Sequence, residues 1–243
     1  MESLQTLPAE GDDIALYEYL QAGVAQIHNN PESQLPINVY MNIYSATWTL
    51  TSRHKREDNA RNTDRNAFPS AIIYQNLTKF LATHLHLVSE RILSQDINVR
   101  LQGYLTEWER YNAAAKRVDH LLNLINRHWI KQYVDEGNRE VFYIHVLHCV
   151  QWRDHLWEKV RDQVVDSAQN IMKSGDGDIV KAHNLLDNFA SLHIDETDAR
   201  MKIGKSLENP FVSAIEAHYK SIDDASDENP PHPLEIPAEG PAE

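Results

Sequence analysis

No proline occurs between Pro69 and Pro210, a stretch that covers more than half of this 243-residue chain. Proline ends or kinks helices and removes a backbone donor, so long helices are possible where it is absent. Only eight glycines are present, and the alternating Val, Ile and Thr segments that are typical of strands are missing. The sequence therefore predicts an all-α fold.

The helix predicted over residues 38–53 has two apolar faces, whereas a surface helix needs only one. At about 100° per residue, the first stripe has the usual form of a core face and consists of Val39, Ile43, Ala46 and Leu50. The second is wider and richer in rings, and it consists of Tyr40, Met41, Tyr44, the Thr47 methyl group and Trp48. Aromatic stripes at helical spacing usually belong to a core, so this pattern leaves open a second internal contact or a contact with another protein.

Apolar spacing and helix-ending residues predict the remaining helices. In chain order we expect them over residues 13–28, 38–53, from 69 onward, 97–111, 114–134, 140–173, 179–193 and 210–222. The helix over 114–134 is also unusually apolar, through Val118, Leu121, Leu122, Leu124, Ile125, Trp129 and Tyr133. A break follows it at residues 135–138, where Gly137 suits a helix C-terminus. Residues 54–66 are polar and are interpreted as a loop.

Composition excludes several functional classes. A net charge of −13 argues against a nucleic-acid-binding surface, which needs a basic face. No apolar run approaches the roughly 18–20 residues of a membrane span, and residues 1–13 lack the pattern of a signal peptide. The single cysteine, Cys149, cannot form an internal disulfide and suits a reducing compartment. These features favour a soluble protein of the cytoplasm, the nucleus or both.

Both ends of the chain are expected to be flexible. Residues 1–11 precede the first predicted helix. In residues 223–243, acidic side chains and prolines accumulate and no Lys or Arg is present. Such a segment buries too little apolar surface to offset the entropy of ordering it, so we expect a disordered acidic tail.

Four motifs follow one another along the chain: Tyr-Leu-Thr-Glu-Trp-Glu-Arg-Tyr from Tyr104, Leu-Ile-Asn-Arg-His-Trp-Ile from Leu124, Asp-Glu-Gly from Asp135 and Gln-Trp-Arg-Asp from Gln151. They resemble the first cullin repeat of the cullins that scaffold SCF ubiquitin ligases, and the Asn-Arg-His-Trp and Trp-Arg-Asp elements match it in order and spacing. Tyr-Met-Asn-Ile-Tyr from Tyr40 also matches the family's Tyr-Met-x-Leu-Tyr on its second helix. The resemblance extends over residues 12–175 and weakens towards Tyr219.

The resemblance implies a cullin-repeat helical bundle in an elongated stalk, with a five-helix first repeat over 12–135 and a partial second repeat over 136–222. It implies a non-catalytic scaffold whose second and fifth helices bind an adaptor of BTB/POZ-like fold, which carries an F-box substrate receptor. No cofactor, metal, nucleic acid or membrane is implied. The positions that match the adaptor-contacting surface, or that lie beside it, are Tyr40, Met41, Tyr44, Thr47, Trp48, His128 and Trp129.

The chain departs from the family pattern at its carboxy-terminal end. No segment matches the cullin homology region that binds the RING subunit and carries the modified lysine. The resemblance therefore implies either a fragment of a longer cullin or a stand-alone competitor or regulator of the ligase, and both interpretations stay open.

Other interpretations are weaker on the residues. His84 and His86 would point to different sides of a helix, and His145, His148, Cys149 and His155 lack the tight ligand spacing of zinc sites. An apolar segment surrounds Cys149, which favours a structural thiol over a nucleophile. Trp108, Tyr111, Trp152 and Trp157 are interpreted as core, and Arg153 with Asp154 as a structural pair. A helical tether of the exocyst type remains the alternative to a cullin scaffold, and it predicts no adaptor binding.

Overall fold

The computed structural model describes residue 4, residues 6–57 and residues 68–173. The predicted helices over 179–193 and 210–222, the predicted acidic tail and most of the predicted loop at 54–66 lie outside these ranges. Within them the chain forms six helices and no strand, which confirms the all-α prediction.

The first four helices are continuous: α1 (Asp13–Asn29), α2 (Ile37–Glu57), α3 (Pro69–Leu93) and α4 (Ile97–Leu121). The last two each contain one π-helical turn. Helix α5 consists of Asn123–Ile125, a π turn at Asn126–Ile130, and Lys131–Asp135. Helix α6 consists of Ile144–Trp152, a π turn at Arg153–Trp157, and Glu158–Lys173. Gly137 has a φ of 82° in the break between them, a conformation that glycine adopts without strain.

Helix α2 packs on α1 through the core stripe expected from its sequence. Val39, Ile43, Ala46 and Leu50 are all buried. The fit is close at Gly23 of α1, where an added Cβ would lie 2.5 Å from the Ile43 Cδ1 atom. Because real Cβ atoms do not approach this closely, glycine at residue 23 lets the two helices meet at their present distance. This contact orients α2 and decides which of its faces remains outside.

Aromatic rings fill the core between α4 and α6. Trp152 is fully buried; its indole Nε1 donates to the Tyr104 hydroxyl at 3.1 Å, and its ring centroid lies 5.0–5.6 Å from three rings of α4. Trp108, Tyr111 and Trp157 are buried as well, so their interpretation as core is confirmed. Helix α6 also contacts α3. The buried residues of α6 therefore pack in one core with α3 and α4.

The predicted boundary between the fourth and fifth helices is wrong. We expected the fourth helix to end at Tyr111, whereas α4 continues to Leu121 and the chain turns at Leu122. Residues 113–115 are three alanines, and alanine is the strongest helix former, so nothing interrupts the helix there. Val118 and Leu121, which we had placed on the fifth helix, belong to the buried face of α4.

Asn126 links α5 to the start of α6. Its side-chain Nδ2 donates to the Asp119 Oδ1 atom at 2.8 Å, and its Oδ1 accepts the backbone N–H of Ile144 at 3.0 Å. The same Asp119 oxygen accepts the backbone N–H of His145 at 3.1 Å. Two of the N–H groups left without partners at a helix N-terminus are thus satisfied by side chains of α4 and α5. This explains the asparagine of the Asn-Arg-His-Trp motif as a structural residue.

Replacing Asn126 with leucine is expected to lower the free energy of unfolding by about 1–3 kcal/mol, because it leaves the buried Ile144 N–H and one Asp119 contact without a partner. Chemical denaturation followed by circular dichroism measures this change. Asn138→Leu is the matched control, since the Asn138 Oδ1 atom accepts the Glu140 N–H in the exposed connection between α5 and α6; its effect is expected to stay within about 0.5 kcal/mol. Equal losses in the two variants would contradict the linking role.

Leu4 connects the N-terminal segment to α1. It is buried, and its carbonyl oxygen accepts a 2.6 Å hydrogen bond from the Tyr19 hydroxyl of α1. The flexibility expected for residues 1–11 stays a prediction. None of the described helices combines the length and apolar character needed to cross a membrane.

Candidate protein-binding surface

Four large apolar side chains of α2 face outward and form one stripe, which we call the α2 ridge. Ile37, Met41, Tyr44 and Trp48 are 81%, 52%, 38% and 55% exposed. Their spacing of four, three and four residues places them on one side of the helix. Sequence analysis missed Ile37, although it precedes Met41 by one helical turn and could have been found from that spacing. Within the described part of the chain, this ridge of four neighbouring apolar side chains on one helix is left uncovered.

Two residues predicted on this face are placed differently by the structure. Thr47 is fully buried and its hydroxyl donates to the Ile43 carbonyl at 3.0 Å, so it does not lie on the exposed face where we expected it. It lies next to Ile43 and Ala46, at the edge of the buried face of α2. Tyr40 is half-buried, with its ring centroid 6.2 Å from that of His120 on α4, and burial raises the pKa of its phenol. Tyr40 thus borders the ridge.

The π turn of α5 carries the two predicted residues on the other side of the surface. His128 is exposed, whereas Trp129 is half-buried. The indole ring of Trp129 lies 5.3 Å from Tyr74 of α3 and 4.6 Å from Tyr133, centroid to centroid. A π turn contains one residue more than an α turn and so shifts the direction of the following side chains. Trp129 therefore packs below the surface against α3, and the side chain of His128 is accessible to a partner.

An open groove of about 630 Å³ joins the end of the ridge to α5. Trp48 lines one wall, and His128 and Trp129 line another. Its other lining residues include Thr51, Ser52, Phe68, Pro69, Leu124 and Arg127. The structure thus brings Trp48 together with His128 and Trp129, which follow it by 80 and 81 residues in sequence. Met41 and Tyr44 extend the surface along α2.

Charges at the groove are mixed in sign. Arg127, Lys131, Asp135 and Glu136 line its α5 side. Lys131 pairs with Asp135 at 2.6 Å, and this carboxylate raises the pKa of the ammonium group. Apolar and aromatic area with a charged rim is typical of a protein-binding surface, so the arrangement suits recognition of another polypeptide.

Arg117 of α4 stabilises the turn that connects α1 to α2, just before the α2 ridge. Its guanidinium donates to the Pro31 carbonyl at 2.8 Å and to the Ser33 carbonyl at 2.7 Å. Arg110, two turns earlier on α4, lies 3.7 Å from the Glu32 carboxylate. The start of α2 is therefore held by side chains from α4, and the ridge is presented by a fixed element.

Within the described ranges, the histidines and the cysteine do not support a metal site or a reactive thiol. No group of three or more His, Cys, Asp or Glu side chains there is arranged to hold a metal ion. Cys149 is buried, and desolvation raises the pKa of its thiol to about 11. A protonated, enclosed thiol agrees with the structural interpretation of this residue.

Comparison with known proteins gives a family match over most of the chain. The model of the cullin alpha solenoid domain matches residues 17–232. Cullin-1 of Dictyostelium discoideum is 28% identical over 155 residues, which cover 60% of this chain and 20% of that protein. Cell division control protein 53 of Saccharomyces cerevisiae is 22% identical over 239 residues, covering 88% and 29%. Cullin-1 of Caenorhabditis elegans is 23% identical over 206 residues, covering 78% and 26%. The chain thus spans between a fifth and a third of the length of these relatives.

Proposed function

Because this chain belongs to the cullin family through its alpha solenoid domain, we propose that it is a non-catalytic interaction module of an SCF-type ubiquitin ligase. In this role the α2 ridge and the groove beside α5 bind a small adaptor of BTB/POZ-like fold. The adaptor in turn carries an F-box substrate receptor. The module acts either as part of a longer scaffold or as a competitor for the adaptor.

The observation that carries the proposal is the exposure of the α2 ridge. Three of its four side chains, Ile37, Met41 and Trp48, are more than half exposed although they are among the most apolar residues of the helix. Fully burying a side chain of this size is favourable by about 1.5–3 kcal/mol. Three or four such residues are enough for an interface hot spot, which usually consists of a few large side chains.

The same surface supports protein binding better than catalysis. Its polar groups are Thr51, Ser52, Ser70, His128, Gln132 and the charged side chains of α5, and Cys149 is enclosed elsewhere in the core. Side chains carried by packed helices lose little backbone freedom on binding, which lowers the entropic cost of association.

Calorimetric titration of the 243-residue chain with a purified SCF adaptor tests the proposal. We expect a one-to-one complex with a dissociation constant of about 1 µM or tighter, corresponding to roughly 8 kcal/mol, and a negative heat-capacity change from apolar burial. A BTB/POZ-fold protein from outside SCF ligases is the specificity control and is expected not to bind. No heat of binding at 100-fold higher concentration, about 100 µM, would contradict the proposal.

A further inference from the structure

Three imidazole rings from three different helices meet in the interior. His28 of α1 and His148 of α6 are 5% and 0% exposed, and their Nε2 atoms lie 3.3 Å apart with ring planes within 6°. His84 of α3 is half-buried, with its ring centroid 5.2 Å from that of His28. No part of the proposed protein-binding surface uses these residues.

The hydrogen bonds of the pair fix where its protons lie. His148 Nδ1 lies 2.6 Å from the Ile144 carbonyl oxygen, which can only accept, so His148 must carry its proton on Nδ1. Its Nε2 is then an acceptor, and His28 must donate from Nε2. The remaining nitrogen, His28 Nδ1, is a buried acceptor to which no side chain or backbone group of the described residues donates.

A further proton has no favourable position in this arrangement. On His148 Nε2 it would face the His28 N–H and break the contact between α1 and α6. On His28 Nδ1 it would create a buried cation whose new donor meets no acceptor from the described residues. Either outcome is unfavourable, because a buried charge needs a partner.

The charged neighbours do not offset such a cation. On the α3 and α4 side, a small polar cavity is lined by His28, His84, Arg91, Glu107 and Arg110. The one carboxylate among these residues, Glu107, already pairs with Arg91 at 2.6 Å.

The groups of α4 and α6 nearest to His148 are mostly neutral. The Tyr111 hydroxyl donates to the His148 carbonyl at 3.0 Å, and Cys149 is enclosed. Burial has the largest effect on the pKa of His148 and lowers it, and His145 lowers it further, whereas the Ile144 carbonyl and Asp119 raise it.

We propose that His28 and His148 form a proton-sensitive link between α1 and α6, which holds the fold together at neutral pH and releases α1 on acidification. This inference does not depend on the proposed adaptor binding. Since α1 also packs against α2 at Gly23, release of α1 would displace the α2 ridge as well.

The direction of the pH effect follows from burial. Desolvation lowers the pKa of His28 well below its ordinary value of 6.5 and lowers that of His148 to about 4. Below pH 6.5 the unfolded chain therefore binds more protons than the folded chain. The contribution of the pair to stability is complete above about pH 6.5 and decreases as the pH falls towards 4.

Thermal unfolding of the 243-residue chain at pH 7.5 and pH 5.0 tests the link. His28→Phe with His148→Leu removes both titrating groups and keeps apolar volume. We expect the Tm of the parent chain to fall between the two pH values by about 5–10 °C more than the Tm of this variant. His86→Gln is the matched control, because His86 is exposed on α3 and contacts Glu90. The Tm of this variant is expected to depend on pH as that of the parent chain does. Equal Tm losses in the parent and the double variant would overturn the proposal.

Histidine NMR of the parent chain decides the question even where the double variant does not fold. At pH 7.5 we expect His148 protonated on Nδ1 and His28 on Nε2, with both rings neutral down to about pH 5. A different pair of tautomers, or charging of both rings above pH 6, would overturn the proposal.

Discussion

Replacing Met41 and Tyr44 together with alanine is expected to weaken adaptor binding by at least about 100-fold, or 2.7 kcal/mol. Both side chains lie at the centre of the α2 ridge, 52% and 38% exposed. Their contact area is removed from water only in the complex, and each is expected to contribute about 1.5–3 kcal/mol when fully covered. Calorimetry or surface plasmon resonance with the purified adaptor measures the loss.

The stability of this variant distinguishes a lost contact from a lost fold. Because neither side chain belongs to the core stripe of α2, its unfolding free energy is expected to change by less than about 1 kcal/mol. Leu87→Ala with Val99→Ala is the matched control, since these side chains are 59% and 53% exposed on α3 and α4. Retention of affinity within threefold by Met41→Ala/Tyr44→Ala would exclude the ridge as the contact surface.

Replacing Trp152 with alanine is expected to lower the unfolding free energy by about 3–5 kcal/mol. The indole ring is fully enclosed and contacts Tyr104, Trp108 and Tyr111 of α4. Its removal leaves a cavity at the centre of the contact between α4 and α6 and deprives the Tyr104 hydroxyl of its donor. Denaturant unfolding measures the loss, which corresponds to a Tm decrease of about 6–20 °C.

Trp48→Ala provides the same substitution at an exposed position. Trp48 is 55% exposed, so its removal is expected to change stability by less than about 1 kcal/mol. A loss as large as that of Trp152→Ala would mean that Trp48 stabilises the monomer, and it would remove the reason to assign this residue to a partner. Comparing the stability losses of Trp152→Ala and Trp48→Ala thus distinguishes a core residue from a residue of the α2 ridge.

The two faces of α2 show how far sequence reasoning reaches. Helical periodicity identified the core stripe correctly because Val39, Ile43, Ala46 and Leu50 repeat at the spacing of one helix face. It failed at Thr47, whose methyl group was counted on the outer face although the side chain is buried. Thr47 lies near the edge between the two faces, where neighbouring helices decide the exposure of a side chain.

The end of α4 illustrates a different limit. Local sequence contained no clear stop at Tyr111, and the helix continues through three alanines to Leu121. The π turn at Asn126–Ile130 was also absent from the sequence interpretation. It is accompanied by bonds from Asn126 to Asp119 and to Ile144 N–H, and these connect residues of three helices.

The sequence by itself determined the all-α class, the cullin resemblance and the existence of a second apolar face on α2, because these depend on local periodicity and on residue types at fixed spacing. Only the tertiary structure decided that this face is uncovered and that Trp48 shares a groove with His128 and Trp129. It also decided that His28 meets His148, 120 residues away. Exposure and long-range pairing depend on which helices pack together, and no local pattern specifies that packing.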